Sequence, residues 1–211
     1  MIRRFLLIFI SVAMLSITVS AAGYCACCVE RGYYDVRTEK VETFHTGLVE
    51  GMKFNKIADL YMTEAGYDGI KGLPGLKTEI NNDGVVGFDL VDSFLNNTWT
   101  LNIASRSGKK GVLTLPMPPR ITIFKFDTRD EDNVDRGLGV SLYKQLGFTG
   151  RVARGTGIFR AATARPATYT LIFHGSGNGC DSSADFRAWR LELNGPRAGF
   201  VLLGKLDVAG A

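Results

Sequence analysis

The stretch Trp189-Arg190-Leu191-Glu192-Leu193-Asn194-Gly195-Pro196 decides the fold class. Trp189, Leu191 and Leu193 fall on one face of an extended chain while Arg190 and Glu192 face away, the period-2 alternation of a half-buried strand. Asn194-Gly195-Pro196 supplies turn chemistry, and residues 200–206 follow as a more continuously apolar strand. The segment reads as a C-terminal β-hairpin.

The same alternation recurs upstream. Tyr169, Leu171 and Phe173 share one face, as do Trp99, Leu101 and Ile103, and Val86, Phe88 and Leu90. Residues 121–126 read as a continuously buried strand. Asn82-Asp83-Gly84 suits the positive φ angles of a tight turn, and Pro116, Pro118 and Pro119 break the chain between strands. Twenty-five glycines against six prolines agree with a chain rich in turns.

Two segments have helical spacing. Phe54, Ile57, Ala58 and Tyr61 fit either a helix or a bulged strand. Leu138, Leu142 and Leu146, followed by Gly147, fit a short helix with a glycine cap. The expected fold is mainly β: a single-domain β-sandwich, jelly roll or barrel of nine or ten short strands with one or two short helices.

Residues 1–22 have the three parts of a secretory signal peptide: Arg3 and Arg4, an apolar run over 5–19, and the small residues Ser20-Ala21-Ala22. The domain then covers 23–211, in a secreted, periplasmic or otherwise extracytoplasmic protein, with an uncleaved N-terminal anchor as the alternative. Losing Arg3 and Arg4 lowers the formal charge from +4 to +2. So modest a balance, on an exported chain, gives no reason to expect a nucleic-acid partner.

Cys25, Cys27, Cys28 and Cys180 are the four cysteines. In an oxidising compartment an even number points first to disulfides, here one of the N-terminal three joined to Cys180. Closing so long a loop is worth roughly 5 kcal/mol in the chain-entropy model. The competing reading uses thiolates as soft ligands for Zn or Cu(I), with Cys25, Cys28, Cys180 and His45 as the set. A thiol-redox pair, Cys25 and Cys28, lacks the helix N-terminus and βαβ context such pairs use.

The acidic run Asp127, Asp130, Glu131, Asp132 and Asp135 offers oxygen ligands to Ca²⁺, or is a solvated loop. From Arg136 to Cys180 no acidic residue occurs, and Arg151, Arg154, Arg160 and Arg165 are candidates for an anionic ligand such as a glycan or phosphate. The bland alternative pairs these arginines with the acidic loop.

His174-Gly175-Ser176-Gly177-Asn178-Gly179 has the composition of an oxyanion loop in lipases, yet the chain has no Gly-x-Ser-x-Gly elbow, and no histidine follows His174. Asn96-Asn97-Thr98 is a glycosylation acceptor pattern. Only His45 and His174 are available for imidazole chemistry. The preferred expectation is a non-enzymatic exported β domain, disulfide-stabilised, that binds a ligand or protein partner. A metal- or thiol-dependent protein using the cysteine cluster is the alternative, and a hydrolase around His174 the third. No cofactor is required by the sequence; Zn, Cu or Ca are those it could hold.

Overall fold

The computed structural model describes residues 29, 33–61, 85–105, 108–127, 142–177 and 182–207. Eleven strands and one helix follow in chain order: β1 (Tyr34–Lys40), α1 (Thr43–Glu50), β2 (Lys53–Tyr61), β3 (Val85–Leu95), β4 (Thr98–Ser105), β5 (Lys110–Pro116), β6 (Arg120–Asp127), β7 (Leu142–Arg151), β8 (Arg154–Gly157), β9 (Thr168–Gly177), β10 (Phe186–Gly195) and β11 (Ala198–Asp207). They form one antiparallel sheet in the order β1-β6-β7-β9-β10-β11-β2-β3-β4-β5-β8. The mainly β expectation holds.

The sheet curls until its ends approach. β7 passes through Val152-Ala153 into β8, which pairs with β5, and the Ala153 N–H donates to the Thr114 carbonyl at 3.0 Å. The eight strands from β7 round to β5 thus enclose a barrel-like core, and β6 and β1 extend the wall outward. Inward positions alternate as apolar: Trp99, Leu101 and Ile103 on β4, Leu113 and Leu115 on β5, Leu191 and Leu193 on β10. Rings interlock at the centre, with Phe54 and Trp189 4.9 Å apart and Trp99 and Phe148 5.1 Å apart. Such tilted aromatic pairs add to the burial of their area. The Tyr169 hydroxyl donates to the Pro116 carbonyl, tying β9 to the end of β5, and burial holds its phenol well above the ordinary range.

The hairpin that fixed the fold class is present: Gly195 pairs with Ala198 and Leu193 with Phe200. The segment around Phe54, Ile57, Ala58 and Tyr61 is a bulged strand, for Ala58 opposes Gly204 but Phe54 opposes Leu206. The helix expected around Leu142 and Leu146 is instead strand β7 (Leu138 lies outside the described residues). Leucines four apart share a face in either conformation, and here Leu142, Lys144, Leu146 and Phe148 all point inward. The described helix, α1, lies elsewhere. Its His45, Leu48 and Val49 are buried, and the helix covers the inner face of β1, β6 and β7.

Candidate functional site

Beneath α1 the interior is polar. Lys144 takes an inward slot on β7 opposite Gly175, and its Nζ lies 2.5 Å from the Asp185 carboxylate. Asp185 ends a short 3-10 turn, Ser183–Asp185, that folds in over β9. It fits because the inward residues there are glycines: a Cβ on Gly177 would collide with the Asp185 carboxyl group, and one on Gly175 with the Asp185 carbonyl. The glycines of the His174–Gly177 run therefore make room for an ion pair, with no oxyanion role needed.

His45 belongs to the same layer. Its Nδ1 accepts the Glu42 N–H at 3.0 Å, the reciprocal half of a capping box, and Nε2 lies 2.9 Å from Glu39 Oε1, although not aligned as a hydrogen bond. Serving as a metal ligand would require His45 to give up these contacts. The cavity under the helix, lined by Arg37, His45, Lys125 and Lys144 among others, holds about 50 Å³. That is room for one or two water-sized molecules. With Asp185, Glu39 and the buried Asp127 nearby in the same layer, this is a structural polar core.

The outer face of the same wall is different in kind. Residues 121–126 are not buried throughout: Ile121 and Ile123 face the core, whereas Phe124 and Phe126 face out. Two cross-strand rows result. One runs Tyr34, Phe126, Tyr143 and Ser176; the other Val36, Phe124, Gln145 and His174. Neighbouring rings form a continuous chain, Tyr34 to Phe124 at 6.2 Å, Phe124 to Tyr143 at 6.1 Å and Tyr143 to His174 at 6.4 Å. Tyr34 is 69% exposed and Val36 54%. The Gln145 amide donates to the Tyr143 hydroxyl at 2.7 Å, which leaves the Tyr143 O–H to point to another acceptor. Thr38 and Thr122 hydroxyls, 3.2 Å apart, border the patch. The sequence signal was there: an apolar run on a strand buried on one side must present apolar residues on the other.

His174 sits at the end of this patch. Its cross-strand neighbours are Gln145 and Ala188, neither a nucleophile nor an orienting acid. Partial burial, and then the Arg190 charge, hold its imidazole below the ordinary histidine range.

Arg151, Arg154, Arg160 and Arg165 are all exposed, along the segment from the end of β7 through β8 and the following turn. Asp127 is fully buried at the end of β6, whereas Asp130, Asp132 and Asp135 lie outside the described residues, as do Cys25, Cys27, Cys28 and Cys180. Residues 1–22, the signal-peptide segment, lie outside them too. Among the described residues no three His, Cys, Asp or Glu side chains group as metal ligands. Comparison with protein-family models, with curated proteins and with solved structures finds no match for this chain.

Proposed function

We propose that this is an exported, non-enzymatic binding domain whose ligand face is the aromatic outer surface of β1, β6, β7 and β9. The ligand part it meets is uncharged and has an apolar face, as a pyranose ring does. The observation that carries the reading is the unbroken ring chain Tyr34, Phe124, Tyr143 and His174 on an accessible sheet face. Contiguous exposed apolar surface costs solubility and marks interaction sites. Both rows hold neutral side chains apart from the imidazole at their end, which favours a neutral ligand. Strands stand about 4.8 Å apart, and the rings they carry step by 6.1–6.4 Å, so the chain of rings crosses four strands as one extended track. Hydroxyls and the Gln145 amide supply the hydrogen bonds that a sugar rim requires.

One further feature agrees with this reading. Outward positions on β4 are Thr98, Thr100 and Asn102 around an apolar interior, the reverse of a lipid-facing barrel. No described helix is long and apolar enough to cross a membrane. A disulfide joining the N-terminal cysteines to Cys180 is part of the same proposal. It predicts a mass lower by about 2 Da per bridge before reduction. Four free thiols in protein taken from an oxidising compartment would remove that element.

The test is retention on insoluble cellulose, chitin and peptidoglycan. Wild-type protein is expected to bind at least one, and Tyr34→Ala and Tyr143→Ala to weaken binding by about tenfold each, with unchanged far-UV circular dichroism. No retention on any of the three, or equal retention by both variants, overturns the proposal.

A further inference from the structure

On the opposite side of the barrel a second opening does not involve the aromatic face. β3 is flanked by β4 along residues 88–95 but by β2 only along 85–89. Among the described residues Leu90–Leu95 therefore has a sheet partner on one side only. The cause is the bulge in β2. Between the pairs Ala58–Gly204 and Phe54–Leu206, residues 55–57 stand opposite Lys205 alone, and the start of β2 swings away. Asn55 fixes that departure: its amide donates to Asp207 Oδ1 at 2.8 Å, and its Oδ1 accepts the Ile57 N–H at 3.2 Å.

The fork so formed is an open cavity of about 330 Å³, with Phe54, Leu90 and Val91 and the carboxylates of Asp89, Asp92 and Asp207 on its walls, and Lys56 as its cation. Native sheets keep free edges short, charged or covered. This one runs six residues and carries Val91 at 67% and Leu95 at 71% exposure. Three carboxylates face the two ammonium groups of Lys53 and Lys56. Burial, the largest influence, and the neighbouring Asp207 push the Asp92 carboxyl above its usual range, against the hydrogen bond from its own N–H and the pull of Lys53.

We propose that the β2–β3 fork accepts an extended cationic segment of a partner polypeptide, which adds as a strand along Leu90–Leu95 and sets lysine or arginine against Asp89 and Asp207 on the outer face, with Asp92 adding its charge from the inner face. Alternate residues along this edge turn main-chain groups to the open side, and an extended chain is what meets such a row repeatedly. The three carboxylates select the sign of the side chains. The 330 Å³ of space gives those side chains somewhere to go.

The test uses the full chain and a short fluorescent peptide of alternating lysine and valine, with its glutamate–valine counterpart as control. The lysine peptide is expected to bind at least about tenfold more tightly than the glutamate peptide, and Asp89→Lys to weaken it by about tenfold. Methylating alternate backbone nitrogens on the peptide is expected to abolish binding, and the amides of residues 90–95 to gain hydrogen-exchange protection in the complex. Equal binding of both peptides, indifference to N-methylation, or unchanged exchange at 90–95 would each overturn the proposal. So would sedimentation showing a dimer that Val91→Lys dissociates, since the occupant would then be a second copy. Asp89 is exposed, and a retained thermal transition in Asp89→Lys shows that lost binding is not lost folding.

Discussion

At Gly204 the barrel wall leaves no room for a side chain. It stands opposite Trp189, and a Cβ there would lie 2.6 Å from the indole. The ring is fully buried and contacts Phe54, so it has little freedom to yield. Gly204→Ala is expected to cost about 1–3 kcal/mol, read as a lower urea midpoint with unchanged slope. An unshifted midpoint would mean that the indole relocates freely. The Lys144–Asp185 pair calls for a different experiment. Asp185→Ala takes the carboxylate away from a buried ammonium group and should cost about 3–5 kcal/mol. Replacing both partners, Lys144→Met with Asp185→Leu, should cost less than the single change. Additive losses would show that the pair is not coupled.

The β3–β4 turn is a two-residue hairpin in which Asn96 and Asn97 have φ of 51° and 55°. Both values are left-handed, the requirement of a type I′ turn, which Asn-Gly meets best. Asn97→Gly is expected to stabilise the protein by up to about 1 kcal/mol, seen as a higher melting temperature; a fall would show that the Asn97 side chain contributes more than its backbone strain costs. This turn was not anticipated, because Asn96-Asn97-Thr98 spells a glycosylation pattern and lacks the glycine that marks such a turn. Elements with clean alternation, such as Trp189–Leu193 and Trp99–Ile103, were legible because one face of each is apolar throughout. β7 was obscured by Lys144 in an inward slot, whose partner Asp185 lies 41 residues away. Helix α1 gave little local signal: Glu42 stands at its N-cap, Gly47 lies inside it, and its burial against β6 and β7 decides its conformation. The aromatic face was half legible, since the run at 121–126 was visible but its division between core and surface depends on β1 and β7 as neighbours.

For the molecule as a whole, two perturbed groups give the stability profile opposite slopes. The His174 imidazole is held below its ordinary value of 6.5 by burial and then by Arg190. As pH falls through 6.5 the unfolded chain binds the proton first, so stability falls and levels off only below the folded value. Asp92 is the reverse case, raised above 3.8 by burial first. Its folded form binds the proton first, so stability rises as pH falls through the raised value and is constant below 3.8. His174→Gln should therefore flatten the decline below pH 6.5. Asp92→Asn should raise the melting temperature at neutral pH, with the gain gone below pH 3.8, in melts recorded across this span. A gain from Asp92→Asn that persists in acid would assign it to packing instead of charge. If the fork binds a cationic strand, that stabilising change also weakens the complex, a direct exchange of stability for function.

The seam between β2 and β11 pairs Tyr61 with Val201, and β1 finds its partner only at β6, so Tyr34 meets Phe126. Contacts this distant in sequence must wait for chain that has not yet been made or delivered. A polypeptide emerging N-terminus first leaves one flank of β2 open until the last strand arrives, so early folding cannot trap it in a finished barrel. Under the proposed export of this protein, that delay keeps the chain threadable. The strand that completes the wall, Ala198–Asp207, is the one synthesised last among those described. Closure of the barrel by that strand would then be the event that separates transport from function.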